Sequence, residues 1–207
     1  MAQVLKIYSK NLILTKSIDL TAKGLLGWRT FGSTNNYKAS GTSIIPAPSI
    51  TGTAVYGTDA GKISSSWSNG TPSSSGSANK DYVAVDATGE VISLTIPAIT
   101  TPRTLKLQVG VYAGSASVTA YLSNDSGNPV SVAFANTLGS RDELVTIHFA
   151  ASDNSSRNLI VEIIPNPTGF VLLSSAWVYG SVVQESFRVH KDDGDEDGAT
   201  WYSAQGS

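Results

Sequence analysis

Arg103-Thr104-Leu105-Lys106-Leu107-Gln108-Val109-Gly110-Val111-Tyr112 is the stretch that decides the class of fold. Leu105, Leu107, Val109 and Val111 fall on one side of an extended chain, and Thr104, Lys106, Gln108 and Gly110 on the other. Side chains of a strand alternate between its two faces, so this pattern predicts a strand with one face on a core and one in water. A helix would scatter the same four apolar residues around its circumference.

The same period-2 pattern recurs outward from this stretch. It predicts strands over 91–96, 117–122, 143–150, 158–164 and 170–179. Turn clusters lie between them, among them Asn124-Asp125-Ser126-Gly127-Asn128-Pro129 and Asp153-Asn154-Ser155-Ser156. Ser and Thr make up about a quarter of the chain, and both residue types disfavour helix. No window shows helical periodicity. Closely spaced strands with intervening turns indicate an all-β sandwich or barrel.

Three segments stand apart from this body. Residues 1–21 hold two alternating runs, VLKIYS and LILTKS, and are expected to form an N-terminal strand arm. Residues 57–80 are rich in Gly and Ser and are expected to be a long surface loop around one short strand, held by Ile63 and Trp67. Residues 183–207 open on ESFRVH and continue into an acidic cluster, which suits a short C-terminal β appendage or the start of a further module.

Composition narrows the function. The formal net charge is −2, which argues against nucleic acid as the main partner. Six of the 16 acidic residues lie in the last 25 positions, leaving the body nearly neutral. The chain has no cysteine, so it has no disulfide, thiol nucleophile or Cys-bound metal. No apolar stretch approaches the roughly 20 residues of a membrane-spanning helix. The residues after Met1 alternate and carry Lys6, Lys10 and Lys16, unlike a secretory leader.

No catalytic motif is present. The two histidines, His148 and His190, lie outside any recognisable nucleophile motif, and there is no GxSxG, HExxH or Walker sequence. His148 sits in LVTIHFAA opposite Val145, Ile147 and Phe149, where it reads as an ordinary strand histidine. Asp59, Asp81, Asp86, Asp142 and Asp153 fall in or beside predicted turns, where Asp serves the backbone. The chain is therefore expected not to be an enzyme. One motif bears on metals: Asp193, Asp195 and Asp197 followed by Gly198 match the opening of a calcium loop. Ala204 stands where that loop requires a bidentate Glu, so a solvated acidic loop is the competing reading. No other cofactor is expected.

SWSNGTPSSSGSANKDYVAV, ISLTIPAITTPRTLKLQVGVY and ASVTAYLSNDSG together resemble galactose-binding-like jelly-roll modules, which occur as accessory domains on bacterial carbohydrate-active enzymes and surface proteins. The resemblance spans roughly residues 25–180. It implies a jelly-roll β-sandwich over residues 22–182, with a carbohydrate site built from aromatic faces and hydrogen-bonding neighbours. The residues that match this expectation are Trp67 with Asn69, and Trp28 with Arg29, Asn36 and Tyr37. The competing reading has each indole plugging an end of the core, as is expected of Trp177. A shorter stretch, FRVHKDDGDEDGATWYSAQG, is similar to repeated segments of bacterial surface and phage structural proteins.

These features set two expectations. The first is a structural or decoration protein of an extracellular assembly, a phage virion above all. Such a protein would be released by lysis and partnered by its own copies, by other virion or surface proteins and by cell-surface glycans. Its terminal strands would dock by strand addition. The second is a carbohydrate-binding accessory module of a secreted bacterial protein.

Overall fold

The structure is a computed structural model that describes residues 4–11, 17–21, 25–39, 44–58, 63–153, 155–166 and 169–180. Among these residues the chain forms fifteen strands and no helix. In order they are β1 (Val4–Asn11), β2 (Ile18–Asp19), β3 (Leu25–Thr30), β4 (Tyr37–Lys38), β5 (Ser49–Thr51), β6 (Val55–Gly57), β7 (Ser65–Ser68) and β8 (Gly70–Thr71). There follow β9 (Ser75–Asn79), β10 (Tyr82–Val85), β11 (Val91–Ala98), β12 (Arg103–Leu122), β13 (Val130–Ala150), β14 (Arg157–Pro165) and β15 (Phe170–Tyr179). Twelve belong to one large sheet, and β2, β7 and β9 form a small second sheet.

The β12–β13 hairpin is the frame. The segments 103–112 and 117–122, expected as separate strands, are one strand of 20 residues. The gap between them is only a local irregularity: Ala113 takes a φ of 49° and the β12–β13 register slips between Tyr112 and Gly114. A bulge bends a strand without ending its pairing. Before the bulge β12 runs beside β15, from Thr104 opposite Tyr179 to Tyr112 opposite Phe170. After it β12 runs beside β14, from Ala116 opposite Pro165 to Leu122 opposite Leu159. One strand thus serves both layers of the sandwich, and the large sheet closes over its own apolar face.

That apolar face is the main core. Leu105, Leu107, Val109 and Val111 are fully buried, as their alternation requires, and meet Ile92, Leu94 and Ile96 of β11 and Val161 and Ile163 of β14. Both β11 and β14 alternate buried with more exposed positions, the mark of strands with one wet face.

The first half of β12 departs from the expected one-sided pattern, because its polar face is buried too. Thr104, Lys106 and Gln108 lie under cover with His148, Thr146 and Asp142 of β13. Each has a partner. Thr104 Oγ1 lies 2.8 Å from His148 Nδ1, and Gln108 Nε2 donates to the carbonyl of Ile63 at 2.8 Å. Ser175 Oγ donates to Gln108 Oε1 at 3.0 Å, and the Lys106 ammonium stands 5.8 Å from the centre of the Tyr179 ring. Leaving a buried polar group unpaired costs about 1–3 kcal/mol, and these bonds avoid it. Alternation reports polarity, and here polarity marks hydrogen bonding instead of solvent.

The cover comes from the segment expected to be one long loop. Residues 65–79 instead form β7, β8 and β9, with β2 pairing parallel to β7. Asp142, expected beside a turn, lies within β13 at 2% exposure, and its Oδ2 accepts the Ile63 N–H at 2.8 Å. The N-terminal segment is likewise integrated. Its residues Val4–Asn11 pair with β13 from Ala150 to Glu143, Leu5 and Ile7 pack on the core, and Tyr8 Oη lies 2.5 Å from His148 Nε2. His148 is thus a strand histidine with both ring nitrogens engaged. Residues 183–207 lie outside the described residues.

Glu143 is a buried carboxylate at the β1 side of this frame. Burial raises its pKa, and Arg141, whose Nε donates to Oε1 at 2.5 Å, pulls against that rise with help from the Ser9 hydroxyl. A folded-state pKa above the unfolded one penalises the ionised form. The penalty is present above the raised pKa and fades as pH falls into the ordinary carboxylate range. The expected outcome for Glu143→Gln is a higher urea midpoint than wild type at pH 7 and equal midpoints by about pH 4. A variant less stable than wild type at pH 7 would contradict the sign.

Candidate functional site

Where the small sheet meets the large one, Leu20, Leu25, Trp28, Trp67 and Trp177 form a second apolar cluster. Its geometry follows from register. Trp28 of β3 stands directly opposite Trp177 of β15, so both indoles rise from the same face. Trp67 of β7 comes down onto them, its ring centre 5.7 Å from that of Trp28 at an interplanar angle of 42°. The tilted contact is a favourable arrangement for aromatic pairs. The Trp67 N–H donates to the carbonyl of Ser73 at 3.2 Å.

Both indoles expected as sugar platforms are therefore core. Trp28 is 2% exposed and Trp67 6%, and neither offers an open face. Gly70 and Gly76 flank the Trp67 ring so closely that a Cβ at either position would strike it. The Gly-rich composition that resembled a loop is the space this ring occupies.

Beside the cluster the surface sinks into a concavity of about 250 Å³. Its floor is apolar, made by the buried Leu20, Leu25 and Trp28. Its rim is polar, made by Thr21, Lys38, Ser68 and Asn69. Each rim residue is placed by local chemistry. Asn69 follows β7 with a φ of 57°, a left-handed conformation that Asn tolerates better than most residues, and its carbonyl accepts the Ala39 N–H at 2.9 Å. Thr21 is held by Asp19, whose Oδ1 accepts its N–H at 2.9 Å and its hydroxyl at 2.6 Å. Those two bonds hold the Asp19 carboxyl below its ordinary pKa. Lys38 is pinned by its ammonium, which donates to the Leu25 carbonyl at 2.8 Å.

Of the six residues expected to bind sugar, only Trp28 and Asn69 line this concavity. Successive residues of a strand face opposite ways, so Trp28 and Arg29 cannot serve one site. Arg29 turns to the other face, where Nε donates to the Ile45 carbonyl at 2.8 Å and the guanidinium lies 5.0 Å from the Tyr37 ring centre. Asn36 is buried, and its Oδ1 accepts the Ser73 N–H at 3.0 Å. It works as a brace for the β8 turn. Trp67 stands behind Trp28, away from the opening. Leu20, Thr21, Leu25, Lys38 and Ser68 were not expected, and their only sequence signal is proximity to Trp28 and Asn69. Asp193, Asp195 and Asp197, the candidate calcium ligands, lie outside the described residues. Among the described residues no three His, Asp or Glu side chains gather around a point.

No family model matches the chain. No curated protein matches it either. Among solved structures, that of TmCBM61 in complex with beta-1,4-galactotriose aligns with 50% of this chain and 72% of that chain, at 11% identity and a TM-score of 0.37. Fold and site together define an all-β sandwich with a small apolar-floored concavity on the flank of its second cluster.

The packing of Trp67 is open to direct test. Gly76→Val places a branched side chain against the ring, and overpacking of this kind costs about 1–3 kcal/mol. The expected result is a lower urea midpoint together with red-shifted tryptophan fluorescence. An unchanged midpoint would mean that the ring is not seated between Gly70 and Gly76.

Proposed function

We propose that this chain is a non-catalytic carbohydrate-binding domain that receives a single sugar ring in the concavity beside Trp28. The observation that supports this reading is the pairing of an apolar floor with a rim of hydrogen-bonding groups. Sugar rings have the matching division, a C–H face and a perimeter of hydroxyls. Ligand sites are commonly apolar pockets with a few placed polar groups. At about 250 Å³ the concavity falls just below the roughly 300–1,000 Å³ of drug-sized sites, which suits one ring. Ser68 and Asn69 supply a hydroxyl and an amide, together able to donate and accept. The Thr21 hydroxyl, its proton committed to Asp19, is left as an acceptor.

The buried indoles support the site from behind without stacking on the ligand. Trp28 lines the floor, and Trp67 and Trp177 pack against it. Substitution of Trp67 is therefore a test of folding, and the discriminating variant lies on the rim.

Asn69→Gly is that variant. Glycine accepts the φ of 57° without strain, and the backbone bond to Ala39 is retained. Loss of two ligand hydrogen bonds is expected to weaken glycan binding about tenfold or more, with an unchanged denaturation curve. The ligand for this titration comes from a broad glycan array probed with the unaltered protein. Failure of that protein to bind any glycan would sink the reading.

A building block of an extracellular assembly, such as a phage virion, is the second reading. One observation favours it: among the described residues β1 pairs with β13 alone and so lies at a margin of the large sheet. Such margins are sites of strand addition. Light scattering of the full chain is expected to give a defined oligomer on this reading. A monomer at every concentration would remove it.

A further inference from the structure

We infer that the sugar taken in the concavity is acidic, carrying a carboxylate or a sulfate that Lys38 receives. The inference rests on the carbohydrate reading above and narrows it to a ligand class. Its basis is the distribution of charge around the opening. Among the described residues of the lining, Lys38 is the one that is formally charged. Its ammonium carries three N–H donors, and the uncharged Leu25 carbonyl takes one of them at 2.8 Å. No carboxylate of the described residues forms an ion pair with it.

The surroundings of this cation matter as much as its sign. Leu20, Leu25 and Trp28 make an apolar floor beside it, and the Leu25 bond ties the half-buried lysine to the wall. The neutral carbonyl takes one proton of the ammonium and leaves its charge for water or a ligand to balance. A neutral sugar hydroxyl could accept one of the remaining protons. An anionic group could accept two and neutralise the charge, and charge-assisted bonds are about twice as strong as neutral ones. Asp19, the nearest acidic residue along the chain, does not line the concavity, and its Oδ1 is held by Thr21.

The two sources of such an anion separate by geometry. A uronate carries a planar carboxylate as the exocyclic carbon of the pyranose, whereas a sulfate ester is tetrahedral and can sit on any hydroxyl. Only the charge is common to them, so both belong in the test.

The experiment titrates the full chain with tri-galacturonate, its methyl ester, a sulfated galacto-disaccharide and the unsulfated parent. Each titration is run at low and at high salt. At least one anionic ligand is expected to bind about tenfold more tightly than its neutral counterpart at low salt, with the gap narrowing at high salt. Lys38→Met is expected to abolish the gap, weakening anionic binding about tenfold more than neutral binding. Lys38→Arg is expected to retain it. Should Lys38→Met lose its fold with the Leu25 bond, the salt dependence of the unaltered protein decides alone. Equal binding of charged and neutral ligands, with no salt effect, overturns this inference and leaves the carbohydrate reading standing. Binding of none of the four ligands, together with a blank glycan array, overturns both.

Discussion

Gln108 holds the two sheets of this protein together. Its amide nitrogen donates to Ile63 at the entrance of the small sheet, and its oxygen accepts from Ser175 on the neighbouring strand. The Asp142 carboxylate completes the link by accepting the Ile63 N–H. These groups sit on the face of β12 and β13 that points away from the main core. Once the small sheet covers that face, every polar group beneath it needs a protein partner, since water no longer reaches it. The position of β7, and with it Trp67, follows from that requirement. The concavity in turn depends on Trp67, because Trp28 keeps its place only while the second indole lies against it.

The long hairpin adds a mechanical constraint. β12 and β13 pair on both sides of the bulge at Ala113, so the two layers of the sandwich share a continuous backbone ladder. A shift in one layer is carried into the other through bonded strands. The site thus rests on rigid elements, with the loops confined to its rim. Such an arrangement suits recognition by a preformed surface, where little ordering is needed when the ligand arrives.

The rim is tied down at three points. Thr21 is fixed by Asp19, Lys38 by Leu25 and Asn69 by its backbone bond to Ala39. On the proposed reading, selectivity comes from the pattern of donors and acceptors and from the charge of Lys38, because the floor offers only apolar contact. Glu143 and its ion-pair partner Arg141 lie in β13, on the opposite side of β12 from β15 and β3.

Much of the fold was legible in the chain. The alternation of Leu105 to Val111 placed those residues on the core, and the repetition of that period without helical signals determined an all-β sandwich. Local chemistry sufficed for these, because burial of one face of a strand leaves a mark at every second residue. Other features depended on residues distant in sequence. Whether Thr104, Lys106 and Gln108 face water or a second sheet depends on residues 63–79, some 40 positions earlier, and a polar side chain looks the same in either setting. The indole of Trp67 within a Ser/Gly run carried an equal ambiguity, settled by Gly70 and Gly76 making space for the ring. The concavity was the least legible of all. Thr21, Lys38 and Asn69 come from three separate segments, and only strand pairing brings their polar groups to one apolar floor. The sequence by itself determined which side chains could build a core, and the tertiary structure alone decided which polar ones would surround a site, because hydrogen bonds across distant strands leave no period in the chain.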